Sequence, residues 1–258
     1  MRPWLGILLL SVVLAARAGS SGDALTLNGI AEFTAAYQAW DAARFAAAAT
    51  LFRQATTNAP ASSTHFYWLG VAEFHRMLQL QTQPASASNT VAAAAALNTA
   101  LDALNRAVKL HPQDAESHAL LGTLYGMKID RNLIRGVRFG PRVDRHRKAA
   151  LAHGSQNPRV RYLLGACQFH TAKKPGALRE ALDTFLEAGK LYEAESKTAP
   201  RPLEPRWGYA SCLTFTGRTY ERLGQSKEAA LCFRKALALH PSDHWAKEGL
   251  ARVSSSSQ

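Results

Sequence analysis

Residues 210–243 read ASCLTFTGRTYERLGQSKEAALCFRKALALHPSD, and this stretch indicates the architecture more clearly than any other. Apolar residues recur there at helical spacing in two segments, of which the first ends before Gly224 and the second begins near Ser226. Gly217 lets the two helices approach closely, and Pro241 ends the second. The space between the helices would be filled by the small and apolar residues that recur along both: Leu213, Tyr220, Ala229, Phe233 and Ala236. The stretch therefore predicts a packed pair of helices.

This helix pair resembles the tetratricopeptide repeat family. The residues that match the family's spacing are Gly217, Tyr220, Ala229, Phe233, Ala236 and Pro241. Thr216 departs from the pattern, because the family usually has a large apolar residue there. One such pair cannot bury its own apolar face, so further pairs must exist elsewhere in the chain. The resemblance implies an all-α, tetratricopeptide-like right-handed superhelix.

Earlier parts of the chain repeat the same spacing. The run Ala48, Phe52, Ala55, Pro60 reproduces the run Ala229, Phe233, Ala236, Pro241 step for step. We predict about five helix pairs and a C-terminal capping helix over residues 28–253, with inserts at about 81–90 and 127–142. Residues 19–27 are predicted to be a flexible start, and residues 254–258 a disordered tail.

The first 18 residues predict a signal peptide. Arg2 precedes an apolar run from Leu5 to Ala16, and the sequence Ala16-Arg17-Ala18 provides small residues before a cut. The run is too short for a comfortable membrane span, although a retained N-terminal anchor is an alternative. No other stretch is apolar enough to cross a bilayer, so we expect an exported protein, periplasmic or secreted, that is not an integral membrane protein.

The chain is strongly basic, with a formal net charge of +12, and the charge is concentrated in one segment. Residues 127–148 contain eight Lys or Arg and two Asp, a net of +6. Arg135, Arg138 and Arg142 lie near Gly136 and Gly140, which predicts an adaptable loop whose forked guanidinium groups contact an anionic partner. Export argues against nucleic acid and favours an anionic envelope component; the alternative is a solvated charged loop.

In the family that the chain resembles, the first helix of each pair lines a concave groove that binds a protein or peptide. That geometry implies an aromatic-lined groove, suited to an extended peptide. The alternative is that these aromatic residues form the core. The seven candidate residues are Phe33, Tyr37, Trp40, Tyr67, Phe74, Tyr162 and Phe169.

The sequence offers no recognisable catalytic, cofactor or metal-binding motif. Its three cysteines are too few for a disulfide framework, although Cys212 and Cys232 could approach each other within one repeat. The leading prediction is a non-enzymatic exported scaffold that binds a protein or peptide. The alternatives are a solute- or envelope-polymer-binding component of a transport or secretion system, and an enzyme such as a glycan-acting hydrolase.

Overall fold

The computed structural model describes residues 21–130 and 132–255, and its regular structure there is entirely helical. This confirms the predicted all-α class. The eleven helices of these ranges are α1 Ser21–Ala39, α2 Ala42–Asn58, α3 Ser63–Thr82, α4 Ala87–Leu110, α5 Ala115–Ile129, α6 Leu133–Gly154, α7 Pro158–Thr171, α8 Pro175–Ser196, α9 Tyr209–Arg222, α10 Ser226–Leu239 and α11 His244–Ser255.

Consecutive helices pack in five pairs, α1 with α2 through α9 with α10, and α11 packs on both α9 and α10. Contacts also join first helices of successive pairs, α1 with α3, α5 with α7 and α7 with α9. The first helices therefore form the inner layer of a tetratricopeptide-like superhelix, and the second helices form its outer layer.

The helix starts are defined by polar caps. At seven of them a side-chain oxygen accepts a hydrogen bond from a backbone N–H of the first turn, which satisfies a donor that the helix leaves unpaired. Each cap of this kind contributes about 1 kcal/mol to stability. The capping residues are Asp41, Ser62, Ser86, Asp114, Asn132, Asn157 and Asp243.

Four of the five pairs share one packing device, in which a glycine of the first helix lies under a large side chain of the second. A Cβ atom at any of these glycines would come within 2.5–2.8 Å of that side chain, so the helices can approach this closely only because the glycine has none. The large side chains are fully buried. The glycine and large-residue pairs are Gly29 with Phe52, Gly70 with Leu104, Gly165 with Phe185, and Gly217 with Phe233.

Several predicted boundaries are wrong because helix extends into the supposed loops. Helix α1 begins at Ser21, so residues 21–27 are helical instead of flexible. The insert at 81–90 is reduced to residues 83–86, between α3 and α4. Helix α11 continues to Ser255, into the predicted tail. The signal peptide at 1–18 and residues 256–258 lie outside the described residues.

The arginine-rich segment is also mostly helical, which corrects the prediction of a loop at 127–142. Asp130 adopts a left-handed conformation that ends α5, and the Asn132 side chain caps α6 at the Arg135 N–H. Phe139 then packs its ring on Tyr125 of α5. Pro141 lies inside α6 and has no N–H to donate to the carbonyl of Val137. Val137 is exposed, so water can solvate that carbonyl.

No helix in the part of the chain that the structure describes has the length and hydropathy needed to cross a bilayer.

Candidate partner-binding surfaces

The seven aromatic residues predicted to line a groove differ in how deeply they are buried. Tyr37 and Trp40 are half-buried. The other five are at most 7% exposed and belong to the hydrophobic core, so they do not line an open channel: Phe33, Tyr67, Phe74, Tyr162 and Phe169. The physical reason is that other parts of the same chain cover the inner face.

One covering element is residues 200–208, the last part of the non-helical segment between α8 and α9, which we call the connector. The Trp68 Nε1 donates a hydrogen bond to the carbonyl of Leu203 at 3.0 Å. Trp207 is 4% exposed, and its Nε1 donates to the Tyr67 hydroxyl at 2.8 Å. The Trp207 ring also meets the edge of His75, with centroids 5.1 Å apart. The connector thus occupies the inner face of α3, where an extended peptide would be expected.

A buried ion network anchors this arrangement. The Arg159 guanidinium is 3% exposed and lies 2.7 Å from Glu116 and 2.6 Å from Glu195. The Tyr67 hydroxyl donates to Glu116, so the network reaches the Trp207 contact. Burial and the neighbouring Glu116 carboxylate raise the pKa of Tyr67. Burial alone would lower the pKa of Arg159, but Glu116 and Glu195 raise it above its usual value.

The superhelix is closed by contacts between α1 and the last repeat. Tyr37 stacks on His240 with centroids 5.1 Å apart and hydrogen-bonds Ser211 through its hydroxyl. The Ser242 hydroxyl donates to the carbonyl of Gln38. Because residues more than 170 positions apart meet here, the inner face formed by the described residues is not one continuous open groove.

A small part of the inner face remains accessible where α1 meets α11. Half-buried Trp40 and Trp245 lie 6.2 Å apart, and Tyr37 is adjacent to Trp40. The Arg218 guanidinium lies 5.7 Å from the Trp245 ring centroid and has no carboxylate within 4.0 Å in the described ranges. We call Tyr37, Trp40, Arg218 and Trp245 the aromatic mouth. An open cleft of about 520 Å³ lies at the same junction, lined by Gln38, Ala39, Pro241, Ser242 and Lys247.

Sequence reasoning missed two members of the aromatic mouth. Arg218 stands in the well-matched last repeat, but helical periodicity gives no indication that its guanidinium stacks over Phe169 and Phe215, at 5.2 and 5.1 Å from their centroids. Trp245 lies in the capping helix, and its proximity to Trp40 arises only when the superhelix closes. Burial lowers the pKa of Arg218.

The three predicted arginines lie on the exposed N-terminal half of α6. Arg138 and Arg142 extend over the Phe139 ring, 5.3 and 5.9 Å from its centroid. Three apolar side chains that sequence reasoning did not single out lie beside them. Leu133, Ile134 and Val137 are 88%, 82% and 81% exposed. We call these six residues, Leu133, Ile134, Arg135, Val137, Arg138 and Arg142, the α6 ridge.

The cysteines do not form the hypothesised bridge. All three are free, and Cys212 is fully buried, with its thiol donating to the carbonyl of Phe185 at 3.6 Å. Burial raises the pKa of Cys212, which disfavours the reactive thiolate. Among residues 21–130 and 132–255, no three His, Cys, Asp or Glu side chains are grouped in a way that could hold a metal ion.

Comparison with solved structures identifies the same fold. A thermophilic tetratricopeptide repeat protein of Thermus thermophilus is 17% identical, covers 90% of this chain and 98% of its own, and superposes with a TM-score of 0.62. The HusA haemophore from Porphyromonas gingivalis is 16% identical, covers 80% of this chain and 96% of its own, and gives a TM-score of 0.62. No curated protein matches the chain in sequence.

Two family models described as tetratricopeptide repeat match the chain, at residues 33–103 and 210–253. The second match falls on the stretch whose spacing carried the resemblance, and the first falls on α1 to α4. Repeats of this type stack into extended surfaces, and the fold is that of a protein-interaction scaffold. The chain therefore contains tetratricopeptide repeats in both of these segments, and its five stacked helix pairs with a capping helix give it a tetratricopeptide-like fold.

Proposed function

We propose that the protein is a non-enzymatic, exported scaffold that binds a protein or peptide partner at the aromatic mouth. One observation carries this proposal: Arg218, which lacks an ion partner in the described part of the chain, stands beside half-exposed Trp40 and Trp245. The rest of the inner face is covered by the connector and the closing contacts.

The residue types in the mouth suit partner recognition. Trp, Tyr and Arg contribute most to the binding energy of protein interfaces, because they bury a large area at a low cost in conformational entropy. The Arg218 guanidinium is held against the rings of Phe215 and Trp245, so its N–H groups can form a forked contact with a carboxylate. We therefore expect the partner to present a carboxylate next to an apolar or aromatic side chain.

The proposal is tested by photo-crosslinking in the cell that makes the protein. A photoreactive phenylalanine analogue is placed at Lys247, which lines the cleft, and in a control at Arg179, which is exposed on α8. We expect a specific protein adduct from position 247 and none from 179. Adding Arg218→Gln and Trp245→Ala should reduce the adduct at least about tenfold, since hot-spot residues each contribute about 2 kcal/mol or more.

Equal labelling at both positions, or an adduct unaffected by the two substitutions, would contradict binding at the mouth. A bound glycan or small molecule, found by native mass spectrometry in place of a protein adduct, would favour the solute- or polymer-binding alternative.

Export is part of the proposal and is supported by the sequence of residues 1–18, with its charged start, apolar run and small residues before the cut. N-terminal sequencing of protein purified from the envelope fraction should give a chain that begins at Gly19. A chain that begins at Met1 in that fraction would indicate a retained anchor, and its recovery only from the cytoplasm would contradict export.

A further inference from the structure

We propose that the α6 ridge docks the protein on an anionic phospholipid surface, with its apolar side chains among the lipid headgroups and its arginines on the phosphates. The ridge lies on the second helix of the third pair, in the outer layer. The proposal is therefore independent of partner binding at the mouth.

The apolar part of the ridge has no partner in the described chain. Leu133, Ile134 and Val137 share one face of α6, because Val137 lies three positions after Ile134 and four after Leu133, and such residues are neighbours on a helix. Pro141 continues that face one turn later. All three are more than 80% exposed. The other large exposed apolar side chains of the described residues are less exposed and form no such cluster, since only α10 has two of them, eight positions apart: Leu27, Val91, Leu186, Leu231 and Leu239. A cluster of this kind marks an interaction site.

The charged part of the ridge is also unpaired. Arg135, Arg138 and Arg142 have no carboxylate within 4.0 Å among the described residues. The one acidic residue of α6, Asp144, pairs with Arg147 and Lys148 further along the helix. Arg138 and Arg142 are held over the Phe139 ring, so less conformational freedom is lost when they bind. Their forked N–H donors match the geometry of phosphate.

The combination of these two features favours a lipid surface over an acidic protein. A helix with exposed apolar residues on one side and arginines on the adjacent flank is typical of segments that lie in the interface of a membrane. Phe139, the aromatic ring next to the ridge, is buried under Arg138 and Arg142, so the ridge presents no exposed aromatic anchor for a protein. An anionic bilayer supplies phosphates at the surface and apolar depth directly below.

The test uses the full chain and two kinds of vesicle, phosphatidylglycerol with phosphatidylethanolamine and phosphatidylcholine alone, in a co-sedimentation assay. Replacing Arg135, Arg138 and Arg142 by Gln should lower partitioning onto the anionic vesicles roughly a hundredfold, about fivefold for each arginine. Replacing Leu133, Ile134 and Val137 by Ser should lower it at least about tenfold.

Two matched triple variants control for general loss of charge and apolar area. Lys173, Lys174 and Arg179 are cations elsewhere on the surface, and their replacement by Gln should change partitioning less than about threefold. Val91, Leu231 and Leu239 are exposed apolar residues elsewhere, and their replacement by Ser should have a similarly small effect. Every variant is prepared with the same N-terminus as the wild type, so any lipid affinity of that segment is common to all.

A local measurement completes the test. Hydrogen exchange of the backbone amides in residues 133–142 should slow when anionic vesicles are added and stay unchanged with phosphatidylcholine. Unchanged exchange there, or ridge variants that sediment like the wild type, would overturn the proposal. So would loss of an acidic protein partner in the ridge variants without any vesicle binding by the wild type, which would make the ridge a protein interface.

Discussion

At the scale of single residues, the close helix approach depends on Phe233, which is fixed from two sides. A Cβ on Gly217 would lie 2.7 Å from its ring, and one on Gly249 would lie 2.4 Å from it, so the ring cannot move away from either helix. Gly217→Ala should therefore destabilise the protein by about 1–3 kcal/mol through overpacking, measured by urea unfolding.

Gly189→Ala is the matched control, because nothing lies within 4 Å of a Cβ at that helical position. It should stabilise the protein by about 0.5–1 kcal/mol, since alanine is the better helix former. If Gly217→Ala and Gly189→Ala changed the free energy of unfolding equally, the close contact with Phe233 would not be the reason for a glycine at position 217.

The buried guanidinium of Arg159 permits a second test at this scale. Arg159→Met leaves Glu116 and Glu195 without their cation and should cost about 3–5 kcal/mol in the free energy of unfolding. Adding Glu116→Gln should recover part of that loss, because it removes the uncompensated buried charge. The single amide oxygen can still accept from either Tyr67 or Asn157, which donate to different oxygens of the Glu116 carboxylate. A double variant less stable than Arg159→Met would argue against an uncompensated Glu116 charge as the main cost.

At the scale of helices, the packing of α3 and of the α5–α6 pair makes stability depend on pH. Burial lowers the pKa of His75, on α3, to about 4. Burial, the neighbouring His118, Arg145 and Arg142 lower the pKa of His146, on α6, to about 4. In the unfolded chain both titrate near their ordinary value of about 6.5. The unfolded state therefore binds more protons, and stability falls as the pH is lowered from about 6.5 to about 4.

We expect the urea midpoint of unfolding to decrease as the pH is lowered through that window. Just above the window, these two histidines should contribute no change in the midpoint. His75→Phe should make the decrease shallower, because it removes one of the two groups. His153→Gln, at an exposed position on α6, should leave the slope as it is. A slope unchanged in His75→Phe would show that this histidine is not responsible.

The connector gives a further prediction at the element scale. Trp207 is 4% exposed, and its substitution by alanine removes the indole contacts with Tyr67 and His75. Trp207→Ala should cost about 3–5 kcal/mol and release residues 200–208 to limited proteolysis. Cleavage elsewhere first would indicate that the connector is not the element held by Trp207.

At the scale of the whole molecule, the sequence predicts the helix pairs but not the long-range contacts between them. The helix pairs could be read from the sequence because residues such as Gly217, Phe233 and Pro241 act within one repeat, where spacing reports directly on packing. The covering of the inner face could not, because Trp68 meets Leu203 and Tyr37 meets Ser211 across more than 130 positions. Periodicity contains no information on such contacts, and it therefore suggested an open aromatic groove.

Helix boundaries were missed for a local reason. Gly136, Gly140 and Pro141 suggested a loop, but the Asn132 cap and the buried Phe139 ring stabilise a helix through all three. The α6 ridge was missed for the same reason. In a loop, apolar residues have no regular spacing that would place Leu133, Ile134 and Val137 on one exposed face.

A closed superhelix, with its inner face filled by the connector, is the feature on which the other inferences about the mouth depend. Hydroxyl-radical footprinting of the full chain can detect it, with half-buried Trp40 and Trp245 as internal references for Trp68 and Trp207, which are 1% and 4% exposed. If the inner face is filled, Trp68 and Trp207 are oxidised at least about tenfold more slowly than the references, in proportion to their much smaller exposed area. Oxidation of Trp207 as fast as Trp245 would show instead that the inner face is open and that the connector does not cover it.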